Sequence, residues 1–406
     1  MNRAHLLGPV LALALLPSNV VAASVPLLRE EWHINAAEAG WVFAAYQVGY
    51  VVSVLVLLPL TDRIRPGRVI AVCAAATAIS FVLFPLLATN LWSAAAMRFL
   101  AGLGLAGIYM PGVRIVSAAA AARRRGLAVG AYVAAFYLGA AVSLWATGLL
   151  LPSLGWRGAA LALGAVSLIA LPLAVLSTRG LAPDPVGGGR ARLDPAILRD
   201  GPVARNVLAY TGHSWELYVS RGWLAAFVAS VLAAQGLDTT SASAQGSQWA
   251  ALMAGFGTPG VFLGGWLSDH LGRARAALTM TLLSGACSLI FGWMGGSPWV
   301  VLIVLGCGYG LLVSADSAIY STAITELAPP GRLGSAQAIQ AFFGFGATIL
   351  APVVAGWALD RGLGWGAAFA LAGAVGIALG LPLMGLIGRA PTLRAVPPAG
   401  VEGADG

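Results

Sequence analysis

A chain of 406 residues that is 59% hydrophobic and only 9% charged cannot present the surface of a soluble domain, where about a quarter of the residues carry charge. The net charge is +8, and its basic side is all arginine, since the sequence contains no lysine. Those arginines sit in short loops between apolar runs, which points to membrane topology and away from nucleic-acid binding. Cys73, Cys287 and Cys307 fall inside apolar runs without metal-ligand spacing, so neither a disulfide framework nor a zinc site is expected.

In chain order, apolar windows of about 20 residues predict twelve membrane spans. They cover 5–27, 38–60, 69–88, 91–115, 127–151, 158–177, 204–233, 248–268, 276–295, 298–322, 334–358 and 365–388. The first run follows Arg3 and could pass for a secretory signal, but it is too long for one and reads as an uncleaved span. If the N-terminus is cytoplasmic, only Arg29, Arg157 and Arg361 lie in outside loops, while most other arginines are inside. The positive-inside rule then places both termini in the cytoplasm. The longest polar stretch, with the run APDPVGGGR, separates spans six and seven. The expected organisation is a bundle over 1–177, a cytoplasmic linker over 178–203, a second bundle over 204–388 and a disordered cytoplasmic tail over 389–406.

The halves repeat. LGWRGAALALGAV from Leu154 returns as LGWGAAFALAGAV from Leu363, and Phe136 to Gly139 matches Phe343 to Gly346. Gly102-Leu103-Gly104 of span four matches Gly306-Cys307-Gly308 of span ten. Repeats of six spans are characteristic of secondary transporters, with the site near the midplane between them. A loop motif repeats as well: LPLTDRIRPGR from Leu58 follows span two, and GWLSDHLGRAR from Gly265 follows span eight. Both resemble the signature of the major facilitator superfamily, the second copy closely, through Gly265, Asp269, Gly272 and Arg273. The first copy has Leu58 in place of the opening glycine, and its Asp62, Arg63, Gly67 and Arg68 are more widely spaced than usual. The resemblance implies an all-α polytopic membrane protein with twelve transmembrane helices in two pseudo-symmetric six-helix bundles. It also implies a gating role for the two loops. A glycine at the motif's start would let span eight approach a neighbour closely, and Asp269 would face a helix N-terminus or the following arginine.

Buried charge carries the functional argument, because each one at mid-membrane costs roughly 2.5–3.5 kcal/mol on insertion scales. Spans three, six, nine and twelve contain no Asp, Glu, Arg or His, whereas span four has Arg98, span seven has His213, Glu216 and Arg221, and span ten has Asp316. In the superfamily that this chain resembles, spans one, four, seven and ten line the central cavity. Arg98 with Gly102 and Gly104 resembles a motif associated there with proton coupling, although span one offers Asn19 and no carboxylate. Arg98 is then either a ligand or coupling group, or is satisfied by backbone carbonyls. Helical spacing puts Tyr210, His213, Glu216 and Arg221 within an arc of about 140°, a polar stripe facing a cavity. Glu216 is the expected proton carrier, with His213 as relay; the plainer alternative is a Glu216–Arg221 pair that only locks helices. Asp316 would bind a cation or proton or pair across the cavity, and Ser314, Ser317 and Tyr320 would either hydrogen-bond a solute or make plain helix–helix contacts. Tyr46, Gln47, Tyr50, Tyr132, Tyr137, Gln337 and Gln340 are candidates for the wall, and Trp32, Trp156 and Trp365 for interface anchors.

The resulting expectation is a secondary transporter working by alternating access in a bacterial inner (cytoplasmic) membrane, moving a small organic or inorganic anion by proton-coupled uptake. The alternative is a proton-driven exporter of drugs or metabolites. Span five lacks the proline-glycine pattern of superfamily antiporters, which favours uptake. An intramembrane enzyme would need a nucleophile–base pair or clustered metal ligands, and no such signature is present, so no enzyme activity is expected. A transporter-like sensor would carry a soluble signalling domain, which this chain does not show. No cofactor is expected; the expected partners are solute, protons and the lipid bilayer, with no nucleic acid and a monomeric state.

Overall fold

The computed structural model describes residues 3–61, 64–120, 125–179 and 194–388. Every regular element among them is helical, and the chain crosses the bundle twelve times. Span one is Ala4–Trp32, span two Ala36–Thr61, span three Pro66–Leu87 and span four Leu91–Ala119. Spans five and six form one continuous run of helix, divided where Gly155 takes φ 61° and ψ 179°. That left-handed extended conformation is open to glycine and strained for other residues. The second half comprises Gly201–Ala234, Thr239–Leu271, Arg273–Phe291, Trp299–Leu327, Leu333–Asp360 and Gly364–Leu386 as spans seven to twelve. An even number of crossings brings Ala4 and Leu386 to one end of the bundle, here the terminal end.

Side-chain caps fix the starts of spans four, seven and eight. Asn90 and Ser93 make a reciprocal capping box at span four. The Asp238 carboxylate accepts from the Thr240 and Ser241 N–H groups, each at 3.0 Å, and so starts span eight well before residue 248. Those bonds satisfy backbone donors that a helix N-terminus otherwise leaves orphaned.

Glycine places the paired spans. A methyl group at Gly102 would lie 2.0 Å from the Tyr46 carbonyl oxygen, and one at Gly310 would lie 1.9 Å from that of Met253. Spans two and four therefore touch backbone to backbone, as do spans eight and ten in the second half. With lipid outside, such close van der Waals approach replaces the hydrophobic drive of a soluble core. The opening glycine of the loop motif does not serve this purpose. The space in front of Gly265 is open, and it is Gly260 and Gly264 that meet span ten, at the carbonyls of Leu311 and Ala315.

At the far end the halves are sutured together. The Asp360 carboxylate, at the end of span eleven, accepts from Ala36 and Ala37 N–H at the start of span two, both at 2.8 Å. A methyl group at Gly40 would lie 2.7 Å from the Pro352 carbonyl, and one at Gly356 would lie 2.4 Å from that of Ala36. Ser247 of span eight donates to the Leu144 carbonyl of span five at 2.6 Å. Towards the terminal end the packing is looser: Gly130 faces open space, and Ser321 and Thr322 of span ten are exposed.

The tryptophans expected at the lipid interface are packed inward. Trp32 and Trp156 meet edge to face at 5.5 Å, and the Trp156 indole donates to Glu31 at 2.6 Å. Trp365 packs on Trp223 and Phe227. Neighbouring rings and a carboxylate partner outweigh the headgroup region here.

Candidate substrate and coupling site

Four spans are bent or broken, and functional residues sit at two of the breaks. Span one loses helical geometry over residues 16–19, around Pro17, whose ring removes an amide donor. Within the break the Arg98 guanidinium donates to the Ser18 carbonyl at 2.8 Å. It also lies 4.4 Å from the centre of the Tyr46 ring. Arg98 is buried, its Nε has no partner, and no carboxylate pairs with it among the described residues. Asn19 does not reach it: its backbone N–H donates to Ser143 Oγ at 3.0 Å and its amide to Ala140 O at 2.9 Å, tying the broken span to span five.

Span ten breaks at Asp316, between helices Trp299–Ala315 and Ser317–Leu327. The Asp316 side chain is buried against span seven. His213 Nδ1 lies 2.7 Å from its Oδ1, an ion-pair distance without hydrogen-bond alignment. Its Oδ2 accepts from Thr281 Oγ1 of span nine at 3.1 Å, and that hydroxyl is 2.8 Å from Tyr320 Oη. On its other side His213 Nε2 lies 3.0 Å from Ser317 Oγ, and Ser317 accepts from Tyr137 Oη of span five at 3.0 Å. One polar chain thus runs from the first half through Tyr137, Ser317, His213, Asp316, Thr281 and Tyr320.

Glu216 points elsewhere. It is buried inside the second half, where its Oε2 accepts from Ser284 Oγ of span nine at 3.1 Å and abuts Gly376 of span twelve. Tyr309 stands beside this carboxylate but donates to Ser288 Oγ at 3.1 Å, and Glu216 Oε1 has no hydrogen-bond partner. The Glu216–Arg221 pair is not formed. Arg221 instead faces the first half, its guanidinium 5.3, 5.0 and 5.4 Å from the ring centres of Phe136, Tyr137 and Tyr218. Guanidinium over ring faces is a favourable cation–π arrangement. Phe136, Tyr137, Tyr218 and Arg221 are all half-buried, as are Tyr109 and Tyr210, which lie within electrostatic reach of them. Tyr50 of span two completes this wall through Phe345 of span eleven, at 4.8 Å. Among the described residues no carboxylate neutralises Arg221.

The stripe read from span seven therefore divides three ways: His213 to span ten, Glu216 to spans nine and twelve, and Arg221 to the other half. Tyr109, Tyr218, Thr281 and Ser284 were missed, since tyrosines and hydroxyls on apolar helices carry no periodic signal of their own. Gln340, a candidate for the wall, accepts from Asn206 at 2.7 Å inside the second half. A groove of about 440 Å³ between spans five and eight, lined by Trp145, Gln248 and Trp249, is apolar and carries no charge.

At the terminal end Arg273 bridges the second loop motif to span ten. It donates to Asp269 at 2.6 Å, Ser268 at 2.9 Å and Glu326 at 3.0 Å, while Gly272 takes φ 82° between spans eight and nine. In the first motif Gly67 abuts Thr178 and Arg68 is exposed; Asp62 and Arg63 lie outside the described residues.

Twelve crossings in two glycine-packed halves, with buried charge turned inward, define a polytopic helical membrane protein with a polar centre. Residues 7–262 and 240–404 match the family model described as Major Facilitator Superfamily, and the chain belongs to that superfamily. It is 24% identical over 382 residues to a probable sulfoacetate transporter of Cupriavidus necator, covering 87% of this chain and 86% of that one. It is 23% identical over 417 residues to a gallate transporter of Pseudomonas putida, covering 93% and 89%. Among solved structures it resembles a bacterial homolog of the human lysosomal transporter Spinster in an inward-facing, unoccupied conformation. The TM-score there is 0.69 at 16% identity, over 95% of each chain.

Proposed function

We propose that this chain is a secondary transporter that takes up small organic carboxylates, together with protons, across a bacterial cytoplasmic membrane. Arg221 carries the reading. A permanent cation near the middle of a span is costly, and this one has aromatic faces around it, no carboxylate partner among the described residues, and the boundary between the two halves in front of it. An anionic ligand would supply the missing charge, and tyrosine hydroxyls beside it would bind the ligand's remaining oxygens. The relatives named for sulfoacetate and gallate are carriers of such anions.

His213, Asp316 and Glu216 supply groups able to hold a proton in the second half, and Arg98 supports the broken first span. Residues 1–177 and 204–388 act as the two moving bodies, joined by the linker 178–203. With both termini in the cytoplasm, the sutured far end faces outside and the looser end opens inward. Breaking and remaking the Arg273 contacts to Asp269 and Glu326 accompanies that motion.

Uptake of labelled gallate and sulfoacetate into proteoliposomes, with and without an imposed pH gradient, tests this. Accumulation should follow the gradient, and Arg221→Gln should reduce uptake about tenfold or more, as loss of a charged hydrogen-bond partner does. Movement of neutral solutes with neither anion carried would overturn the reading.

A further inference from the structure

The buried His213–Asp316 pair and the Arg221 surface both draw on span seven but face different ways, yet one side chain of span five serves both. Tyr137 presents its ring to the Arg221 guanidinium at 5.0 Å and its hydroxyl to Ser317 at 3.0 Å. Ser317 in turn stands 3.0 Å from His213 Nε2, immediately after the break in span ten. From these contacts we infer that Ser317, held by Tyr137, is the positioning residue that links anion occupancy at Arg221 to proton occupancy of the His213–Asp316 pair. The inference rests on the transport reading above and assigns its coupling route.

The argument is one of donors and acceptors. A serine hydroxyl has one hydrogen and two lone pairs. While Tyr137 donates to it, Ser317 is polarised as a donor, and its own hydrogen is best spent on His213 Nε2. That nitrogen is then an acceptor, and the ring holds a single proton, on Nδ1 towards Asp316. A carboxylate settling on Arg221 competes with the Tyr137 ring for the guanidinium and withdraws the Tyr137 hydroxyl. Ser317 can then accept from a protonated Nε2, so the ring can carry both protons against the Asp316 carboxylate. One solvent proton enters as one carboxylate binds. No other described contact joins the first half to this pair so directly. The remaining titratable neighbours lie within the second half: Tyr320 and Tyr210, with rings 5.6 and 6.0 Å from that of His213, and Glu216, which interacts with Asp316. Linkage makes the effect reciprocal, so proton binding tightens the anion by the same factor.

The test uses the full chain in lipid nanodiscs, with gallate and sulfoacetate as probes. Anion affinity is measured by calorimetry across pH, and proton uptake by an indicator dye in weak buffer. The wild type should take up protons on anion addition, with an affinity that changes about tenfold across the titration. Ser317→Ala should still bind anion but release or take up almost none, with a flat pH profile. Ser317→Thr should restore both, and Tyr137→Phe, which keeps the ring, should lose proton uptake as Ser317→Ala does. Full proton uptake by Ser317→Ala, or by Tyr137→Phe, overturns the link while leaving the transport reading intact. A wild type that binds anion without proton uptake overturns the coupling reading and the link together, and one that binds neither anion overturns the substrate reading as well.

Discussion

The two halves share a fold but not a chemistry. Among the described residues of the first, the one deeply buried charge is Arg98, and a backbone carbonyl and a tyrosine ring hold it in place. In the second, His213, Glu216 and Asp316 are buried among Thr281, Ser284, Ser317 and Tyr320, which are groups able to pass or share a proton. The same helical repeat has thus been used once for rigidity around a broken helix and once for a titratable interior. The first half contributes aromatic rings to the shared boundary, whereas the second contributes the cation they surround. Duplication supplies matching backbones; which half becomes responsive depends on a few polar substitutions.

That asymmetry can be broken by mutation. The largest effect is expected for Asp316→Asn: gradient-driven accumulation of gallate should fall about a hundredfold, the upper range of coupling energies, while exchange at equal pH persists. Accumulation that survives would move the proton site to Glu216. Arg98→Leu should do the reverse. It leaves the Ser18 carbonyl without its donor and should lower thermal stability by about 1–3 kcal/mol, with the number of protons per anion unchanged. A changed stoichiometry in that variant would place coupling in the first half too.

The smallest effect concerns the segment leading into the second half. Asp194 accepts from the Ala196 N–H and pairs with Arg332, and the first of these, helped by the second, holds its carboxyl below the usual range. A depressed value in the folded state means that this contact stabilises above the unfolded value and is lost as the pH falls through the folded one. Protease cleavage near residue 194 should be constant from pH 8 to about 5 and rise only in stronger acid. Cleavage already rising near neutrality would assign the clamp to a different group.

Much of the fold was legible because hydropathy and repeats report it directly. Twelve apolar windows, the paired Leu154 and Leu363 segments and the Gly102 and Gly306 motifs all depend on composition at fixed spacing. The breaks were less legible: Pro17 marks the first, but nothing in VSADSAI marks the second at Asp316, where a turn of helix ends without proline or glycine. Span seven shows the limit of periodicity. An arc of about 140° is one stripe on an isolated helix, yet at the centre of a bundle it is wide enough to meet three different neighbours. Spacing told which residues share a side, and only packing told that His213, Glu216 and Arg221 have separate partners. The Arg98–Ser18 bond had been one of two readings; the sequence offered no means of choosing a carbonyl.

The Asp360 carboxylate clasping the first amides of span two, with Gly40 and Gly356 leaving no room between the chains, has a kinetic corollary. On the uptake proposed above, a vestibule shut on that face would give newly arriving solute no purchase until the clasp lets go, whereas solute on the other side would meet the looser packing first. Net flow would then slacken as the compartment on the terminal side fills, a brake set by the clasp itself.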